Sequence, residues 1–174
     1  MIKLNKSDED FNKVLFVTST ELKKDNRDHI KYIKVENDVF VSTDGSRLHE
    51  CITTLSAENG YYEIIKKTKS KIILDKVKNL DEVYFPDYKD LFNTNIEPVQ
   101  FTIDNNKSVE YNASKLFADI VRLMGASAIN FKFIMNILEI KNGLNYIDIF
   151  VDGPDKAIIL KGFKCQACIM PLRT

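Results

Sequence analysis

The chain has 174 residues, of which 44% are hydrophobic, and this suits one domain, or at most two small ones, with a real core. Its 25 basic and 25 acidic residues balance, which excludes a global field that would draw the protein onto nucleic acid or a membrane. The start of the chain is polar, and no apolar run approaches the roughly 20 residues of a membrane span, so we expect a soluble, cytoplasmic protein.

The first half of the chain predicts one helix followed by several strands. Ser7 is a good N-cap for a helix over 7–20, in which four residues share one face at helical spacing, namely Phe11, Val14, Leu15 and Thr18. Lys13 lies off that face. A polar loop over 21–28 follows, and Asn37-Asp38 forms a two-residue hairpin turn. Strands are predicted over 30–36, 39–43, 49–55, 61–66 and 72–77.

A second turn follows the strand that begins at Val39. Asp44-Gly45 is a strong turn signal because both residues tolerate a positive φ. Arg47 and Leu48 come next, a cation beside an apolar residue. Two interpretations are open here: an ordinary hairpin tip with surface residues, or a tight turn that displays this pair to a binding partner.

A run of lysines lies between and after the strands 61–66 and 72–77. Such a run is typical of a solvated loop or sheet edge, where lysines discourage strand-to-strand aggregation. The alternative is a role in contacting phosphates. The residues concerned are Lys66, Lys67, Lys69, Lys71, Lys76 and Lys78.

The second half opens with an irregular aromatic connector over 81–92, in which Pro86 forbids a helix interior or a central strand. Residues 93–97 are the most linker-like segment. Asn112 is expected to cap a helix over 113–124, with Gly125 as its stop. The exposed side of this helix carries Lys115, Ala118, Asp119 and Arg122. Strands are predicted over 99–103, 129–140, 146–151, from 157–160 on past Gly162, and 164–170.

These elements repeat coarsely, as a helix followed by strands in each half. The pattern predicts an α+β domain over 1–174 with two βαβββ-type halves, approximately 1–92 and 97–174. Two helices would pack on one face of antiparallel sheets. The halves share little sequence identity, so the repeat is one of pattern only.

Three cysteines argue against a disulfide framework because their number is odd. Cys165 and Cys168 have CxxC spacing but lie in an apolar strand, which favours packing over redox or metal chemistry. A zinc site would need two further ligands, and only His29, His49 and Cys51 are spare. The sequence has no nucleophile–base pair and no glycine-rich phosphate loop, so we expect neither an enzyme nor a cofactor.

Three stretches together resemble one family, the bacterial sliding clamp, which is the beta subunit of DNA polymerase III. They are the TDGSRL turn over 43–48, the FPDY connector over 85–88 and the terminal MPLR over 170–173. The family shows TDGxRL, FPDY and an ending like VMPMRL in this order, and residues 112–116 are similar to the start of its last helix. The resemblance covers most of the chain. A clamp subunit has three similar domains and about twice this length, so the resemblance implies a chain shortened to about one clamp-type domain.

The resemblance implies a DNA-clamp-like fold and a non-enzymatic polymerase processivity factor. Clamps encircle duplex DNA, with helices lining the hole, and hold it by phosphate electrostatics without reading bases. A single-domain chain would need about six copies to close an equivalent ring, so a homo-oligomer is implied. The alternative is a clamp-derived regulator or decoy that binds peptides without encircling DNA. The implied DNA-binding residues are Lys13, Lys23, Lys24, Arg27, Lys115 and Arg122.

The resemblance also implies an apolar cleft beside the TDGSRL turn that binds short peptides of polymerases and clamp loaders. Leucine, methionine and proline suit such an adaptable surface, and Arg47 would hold a peptide carbonyl or carboxylate. Ser46 stands where the family often has histidine, and Cys168 where it often has valine. The implied peptide-binding residues are Ile30, Thr43, Gly45, Ser46, Arg47, Leu48, Pro86, Leu91, Cys168, Met170 and Pro171.

Overall fold

The computed structural model describes residues 1–20, 30–78, 85–125, 129–139, 145–162 and 164–171. The chain divides into two compact units, which we call the N-terminal unit (Met1–Asp87) and the C-terminal unit (Tyr88–Thr174). The division falls inside the aromatic connector over 81–92. A single domain over the whole chain stays a prediction.

In the N-terminal unit the described strands form an antiparallel array with one helix. The elements are β1 (Ile2–Asn5), α1 (Phe11–Val17, continued by a 3₁₀ turn over Thr18–Thr20), β2 (Ile33–Glu36), β3 (Val39–Thr43), β4 (Arg47–Ile52), β5 (Gly60–Lys67) and β6 (Lys71–Lys76). The strand order is β1-β6-β5-β2-β3-β4. Strand β1 was not predicted, because its four residues are too few to establish an alternating pattern.

Helix α1 covers one face of this array, against β3, β4 and β6. The apolar face of α1 packs against apolar residues of these strands. Full burial of one large apolar side chain stabilises the fold by about 1.5–3 kcal/mol. The helix begins at Phe11 and not near Ser7, because Asp8 accepts a hydrogen bond from the Asn5 amide and holds this stretch as a turn. The buried side chains include Phe11, Val14, Val17, Phe40, Ile72 and Leu74.

In the C-terminal unit the described strands are also antiparallel, in the order β7-β8-β9-β10. A 3₁₀ turn over Lys89–Phe92 precedes them. The elements are β7 (Val99–Thr102), α2 (Val109–Met124), α3 (Phe131–Leu138), β8 (Tyr146–Val151), β9 (Ile158–Gly162) and β10 (Cys165–Ile169). The α+β class with helices on antiparallel sheets, predicted from the sequence, is confirmed.

One predicted strand is wrong. Residues 131–138 of the segment 129–140 form helix α3, so the described residues contain three α-helices and not two. A short apolar run does not distinguish a buried strand from a helix by itself. The helix begins where the Asn130 side chain accepts a hydrogen bond from the Lys132 amide, and it packs on α2, where the rings of Phe117 and Phe131 meet edge to face at 5.5 Å.

Helix α2 begins one turn before the predicted cap. Ser108, and not Asn112, is the N-cap, and its Oγ accepts from the Tyr111 amide at 3.2 Å. Asn112 is buried inside the first turn and bonds both backbone groups of Asp104, at 2.9 and 3.0 Å. It therefore holds the loop after β7 against the helix. The predicted stop at Gly125 is confirmed, with φ 78°.

The predicted hairpin turn at Asn37-Asp38 is present, and the three cysteines lie in the interior. Asn37 and Asp38 have φ values of 50° and 65°, as a two-residue turn between β2 and β3 requires. All three cysteines are described, are buried and form no disulfide, and burial raises the pKa of the Cys168 thiol to about 11. Within the described residues no group of three or more His, Cys, Asp and Glu side chains is placed to hold a metal ion, and no helix is long and apolar enough to span a membrane.

Candidate functional site

The TDGSRL stretch forms the tip that joins β3 to β4. Asp44 Oδ1 accepts from the amides of Ser46 and Arg47, both at 3.0 Å. Thr43 Oγ1 donates to the Arg47 carbonyl at 2.8 Å and accepts from the Gly45 amide at 3.1 Å. Gly45 has φ 83°, a region that favours glycine. The tip is therefore fixed by its own side chains, with Gly45 and Ser46 exposed at its end.

Arg47 points inward from this tip and is buried. Its Nε donates to Asp44 Oδ2 at 2.8 Å, and its Nη2 donates to the Ser19 carbonyl oxygen at 2.7 Å. The guanidinium therefore ties the tip to the end of helix α1. The role implied for it by the resemblance, holding a peptide carbonyl or carboxylate, stays a prediction.

The last carbonyl groups of α1 and its 3₁₀ turn accept hydrogen bonds from side chains of other elements. Carbonyls at a helix C-terminus have no partner within the helix, so buried ones need partners from elsewhere. We call the donors the cap cluster. They are His49 Nδ1 to Phe16 O at 3.0 Å, Ser42 Oγ to Val17 O at 2.5 Å, Lys67 Nζ to Thr18 O at 2.6 Å, and Arg47 to Ser19 O.

His49 is the innermost member of the cap cluster and is 0% exposed. Its ring stacks on Phe16 with centroids 4.0 Å apart and planes 10° apart. Because Nδ1 donates to the Phe16 carbonyl, Nε2 is left as an acceptor, and it has no partner among the described residues. Burial lowers the pKa of His49 to about 3, and the charges of Arg47 and Lys67 also lower it. The ring is therefore neutral at pH 7.

The peptide-binding residues predicted in the N-terminal unit are mostly buried. Only Gly45 and Ser46 are exposed, and Pro86 is half-buried. Leu48, which we expected to contact a partner's apolar side chain, is 5% exposed and lies opposite Thr43 in the strand pairing. The buried members are Ile30, Thr43, Arg47 and Leu48.

The C-terminal unit presents two of its predicted residues to solvent. Leu91 is 44% exposed on the 3₁₀ turn, and Met170 is 43% exposed directly after β10. The turn is held in place on its buried side, because Phe92 is buried and its carbonyl accepts a hydrogen bond from Lys161 Nζ at 2.9 Å. Pro171 is half-buried, and Cys168 faces the interior of the unit.

The predicted DNA-binding residues have different surroundings. The expectation that Lys13 faces outward is wrong, because it is 2% exposed and its Nζ bonds Asp10 Oδ1 at 2.6 Å. Lys115 is exposed on α2, and Arg122 is exposed with an ion pair to Asp119 at 3.3 Å. The other three, Lys23, Lys24 and Arg27, lie outside the described residues.

The cap cluster could not be predicted from the sequence. Its donors lie 25 to 49 residues from the carbonyls that they bind. Nothing local in the sequence marks Ser42, His49 or Lys67 as a partner of α1. The only indication in the sequence was that polar residues occupy these three positions of the strands. The alternation of apolar and polar residues does not explain why they are polar.

Comparisons with known proteins identify the fold. No protein-family model and no curated protein matches the sequence. Among solved structures, the chain is similar to the DNA polymerase III beta subunit of Borrelia burgdorferi, with a TM-score of 0.62, 13% identity, and coverage of 99% of this chain and 64% of that one. The Bacillus subtilis sliding clamp gives a TM-score of 0.60, 11% identity, and coverage of 99% and 64%.

A third similar structure is the Helicobacter pylori beta clamp bound to a DNA ligase peptide, with a TM-score of 0.56, 12% identity, and coverage of 99% of this chain and 66% of that one. The alignments therefore span about two thirds of the clamp chains and nearly all of this one. The chain has the fold of bacterial sliding clamps, and its resemblance to them is confirmed at the level of structure.

Proposed function

We propose that this chain is a cytoplasmic, non-enzymatic, sliding-clamp-like processivity factor for a DNA polymerase. The observation that carries the proposal is the clamp fold over 99% of the chain. The three sequence motifs support it, since they occur in the order found in clamps. The TDGSRL motif also forms a rigid hairpin tip whose end is exposed, as a recognition element would require.

The first activity that we propose is binding of short peptides from polymerases and clamp loaders. The likeness to a clamp solved with a DNA ligase peptide supports this activity. Leu91 and Met170 support it as well, because each is a large apolar side chain of the predicted set that is exposed to solvent. The turn that carries Leu91 is also held by the bond from Lys161 to the Phe92 carbonyl. Apolar anchors of this kind are the residues that a bound peptide would cover.

The second activity that we propose is weak, sequence-independent binding of duplex DNA through helix α2. Lys115 and Arg122 are exposed on it, seven residues apart, and so lie on one side of the helix. Asp119 lies between them and pairs with Arg122, which reduces the positive field. Phosphate contacts of this kind carry no sequence information.

A second candidate function is a regulator or decoy that binds clamp-binding peptides without encircling DNA. The burial of Lys13 and the Asp119–Arg122 ion pair favour it, because both reduce the basic character expected of a DNA-facing helix surface. Under this alternative, peptide binding would be retained and DNA binding would be absent.

Peptide binding is tested by titrating the chain into a fluorescently labelled form of the DNA ligase peptide. We expect Met170→Ala and Leu91→Ala each to weaken binding about tenfold, because truncating a central apolar anchor costs about 1–2 kcal/mol. Val99→Ala is the matched control. Val99 is 42% exposed and apolar, lies outside the predicted set, and should leave the affinity unchanged.

If Met170→Ala and Leu91→Ala both bind the peptide as tightly as Val99→Ala does, the predicted peptide-binding residues are wrong. If the unmodified chain does not bind the peptide at all, the peptide-binding activity itself is refuted. Circular dichroism of each variant separates loss of contact from loss of fold.

A further inference from the structure

A cluster of lysines lies at one end of the β5–β6 hairpin, in the N-terminal unit. Strand β1 runs beside β6, and the Lys6 amide donates to the Ser70 carbonyl at 2.9 Å, which places Lys6 next to the hairpin turn. Four of the five lysines are exposed and one, Lys71, is half-buried. We call this cluster the basic hairpin surface; it consists of Lys3, Lys6, Lys66, Lys69 and Lys71.

A β-bulge determines which lysines share this surface. The pairing shifts between Ile64 and Lys66, so that Ile65 is the extra residue and Lys66 pairs with Ile73. Ile73 also pairs with Lys3, so Lys66 and Lys3 lie in one row on one face, about 10 Å apart across two strand spacings. Without the bulge, Lys66 would pair with Ile72 and face the buried side.

The opposite face of the same strands is the one that α1 covers. Leu4, Ile72 and Leu74 are buried on it. Lys67 pairs with Ile72 and therefore points to that side, where its Nζ binds the Thr18 carbonyl. Two adjacent lysines thus have different roles: Lys67 caps α1 and Lys66 joins the basic hairpin surface.

The hairpin turn holds the lysines at fixed positions. Thr68 Oγ1 accepts from the amides of Ser70 and Lys71 at 3.3 and 2.9 Å, and the Thr68 amide donates to the Lys71 carbonyl at 2.9 Å. Lys71 lies two residues along β6 from Ile73, on the same face and about 7 Å away. The backbone therefore keeps these lysines close together, whichever conformations their side chains adopt.

Acidic side chains lie near the basic hairpin surface but form no ion pair with it among the described residues. Of the described acidic side chains, three lie near it. Asp8 accepts from the Asn5 amide next to Lys6, and Glu63 and Asp75 pair across β5 and β6, two residues along β6 from Ile73 on the same face. Asp75 already contacts the Met1 amino group at 3.6 Å.

We propose that the basic hairpin surface is a second contact site for the phosphate backbone of duplex nucleic acid, on the sheet face of the N-terminal unit that α1 does not cover. A duplex carries one negative charge per about 1.7 Å of axis, so lysines whose backbone positions lie about 7–10 Å apart can meet several phosphates at once. The protein has no net charge, and this local excess is what would attract the duplex.

The composition of the surface favours a duplex backbone over other polyanions. It contains lysine only, which is a point charge suited to phosphate, and no arginine fork to read base edges or grip carboxylates in pairs. No aromatic residue lies among the five lysines or in the turn between them, so the base stacking that holds single strands is missing. The contact should therefore be insensitive to sequence.

The test is fluorescence anisotropy of a labelled duplex of about 20 base pairs, titrated with the full chain over a salt series. The variant Lys66→Gln/Lys69→Gln/Lys71→Gln should bind at least tenfold more weakly at low salt. The slope of its log affinity against log salt concentration should be smaller in magnitude by about 2.7, because three phosphate contacts are lost. The matched control is Lys132→Gln/Lys156→Gln/Lys164→Gln, which removes three exposed lysines of the C-terminal unit and leaves the same net charge.

Equal affinity in the two triple variants overturns the proposal, as does equal or tighter binding of polyglutamate of the same charge. Increased aggregation of the hairpin variant with unchanged DNA binding also overturns it, because the lysines then only protect the sheet edge. As a direct readout, acetylation followed by mass spectrometry should show that duplex protects Lys66 and Lys69 but not Lys156 and Lys164.

The experiment also separates this proposal from DNA binding by α2. The variant Lys115→Gln/Arg122→Gln removes the helix contacts and leaves the basic hairpin surface intact. If only this variant loses DNA, the helix site stands and the hairpin proposal is refuted. If only the hairpin variant loses DNA, the hairpin proposal stands and the helix site is refuted.

Discussion

Two lysines of the N-terminal unit have structural roles that their sequence context does not suggest. Lys13 forms a buried ion pair with Asp10, whose other carboxylate oxygen accepts from the backbone and hydroxyl of Thr54. These bonds lower the pKa of Asp10 even though burial raises it. Lys67 binds the Thr18 carbonyl at the other end of the helix. Both ends of α1 are therefore attached to the strands by charged side chains.

His49 should make the stability of the protein depend on pH. Its pKa is lowered from 6.5 to about 3 in the folded state, so the unfolded chain binds more protons between these values. The free energy of unfolding should fall as pH drops from about 6.5 towards 3, by up to about 1.4 kcal/mol per pH unit. Urea unfolding followed by circular dichroism at pH 7, 6 and 5 measures this fall.

The control for this prediction is His49→Phe, which keeps an aromatic ring against Phe16 and cannot titrate. It loses the hydrogen bond to the Phe16 carbonyl, so its absolute stability should be lower by about 1–2 kcal/mol. Its stability should nevertheless change less between pH 7 and pH 5. A wild-type chain and variant with the same pH dependence would show that His49 is not the titrating group.

At the scale of single elements, caps and bulges decide which residues an element presents. The β-bulge at Ile65 reverses the alternation of β5, so that Lys66 and Lys67 face opposite sides from those that uninterrupted pairing with β6 would give. Helix α2 starts at Val109 because Ser108 caps it, and this extra turn brings the buried Asn112 inside the helix.

Ser108→Ala should destabilise the chain by about 1 kcal/mol, because the Tyr111 amide loses its acceptor at the start of α2. Thermal unfolding monitored by circular dichroism measures the effect. Ser114→Ala is the matched control: Ser114 is exposed in the middle of the same helix, where alanine is the better helix former, so this variant should be as stable as the wild type or slightly more stable. Equal losses in both variants would contradict the assignment of Ser108 as the cap.

At the scale of the whole molecule, the proposed clamp function predicts self-association. The sequence resemblance implies a single clamp-type domain, and about six such domains close a clamp ring, so an equivalent ring around DNA requires several copies of this chain. Sedimentation velocity at increasing protein concentration should show a discrete species larger than the monomer. A monomer at every concentration would refute the ring and leave the peptide-binding regulator as the remaining candidate.

The sequence by itself determined the class of the fold. The turns at Asn37-Asp38 and Asp44-Gly45 and the stop of α2 at Gly125 are local patterns, and each is present where it was predicted. The predicted strands are present as well, except over 129–140, where helix α3 lies. Such patterns are predictable because turn geometry and side-chain alternation depend on neighbouring residues. The clamp motifs added the family resemblance, which the solved structures confirm at the level of the fold.

Only the tertiary structure decided how individual side chains are used. Arg47 and Lys13 pair with Asp44 and Asp10, which lie only three residues away in the sequence. Their burial, and the bond of Arg47 to the Ser19 carbonyl, arise only when α1 packs on the strands. The peptide-binding assignments of the sequence analysis stay predictions. The β-bulge at Ile65 separates the roles of two adjacent lysines: Lys67 caps α1, and Lys66 belongs to the basic hairpin surface. Burial and hydrogen-bond partners arise from segments far apart in the chain, and a local pattern contains no information about them.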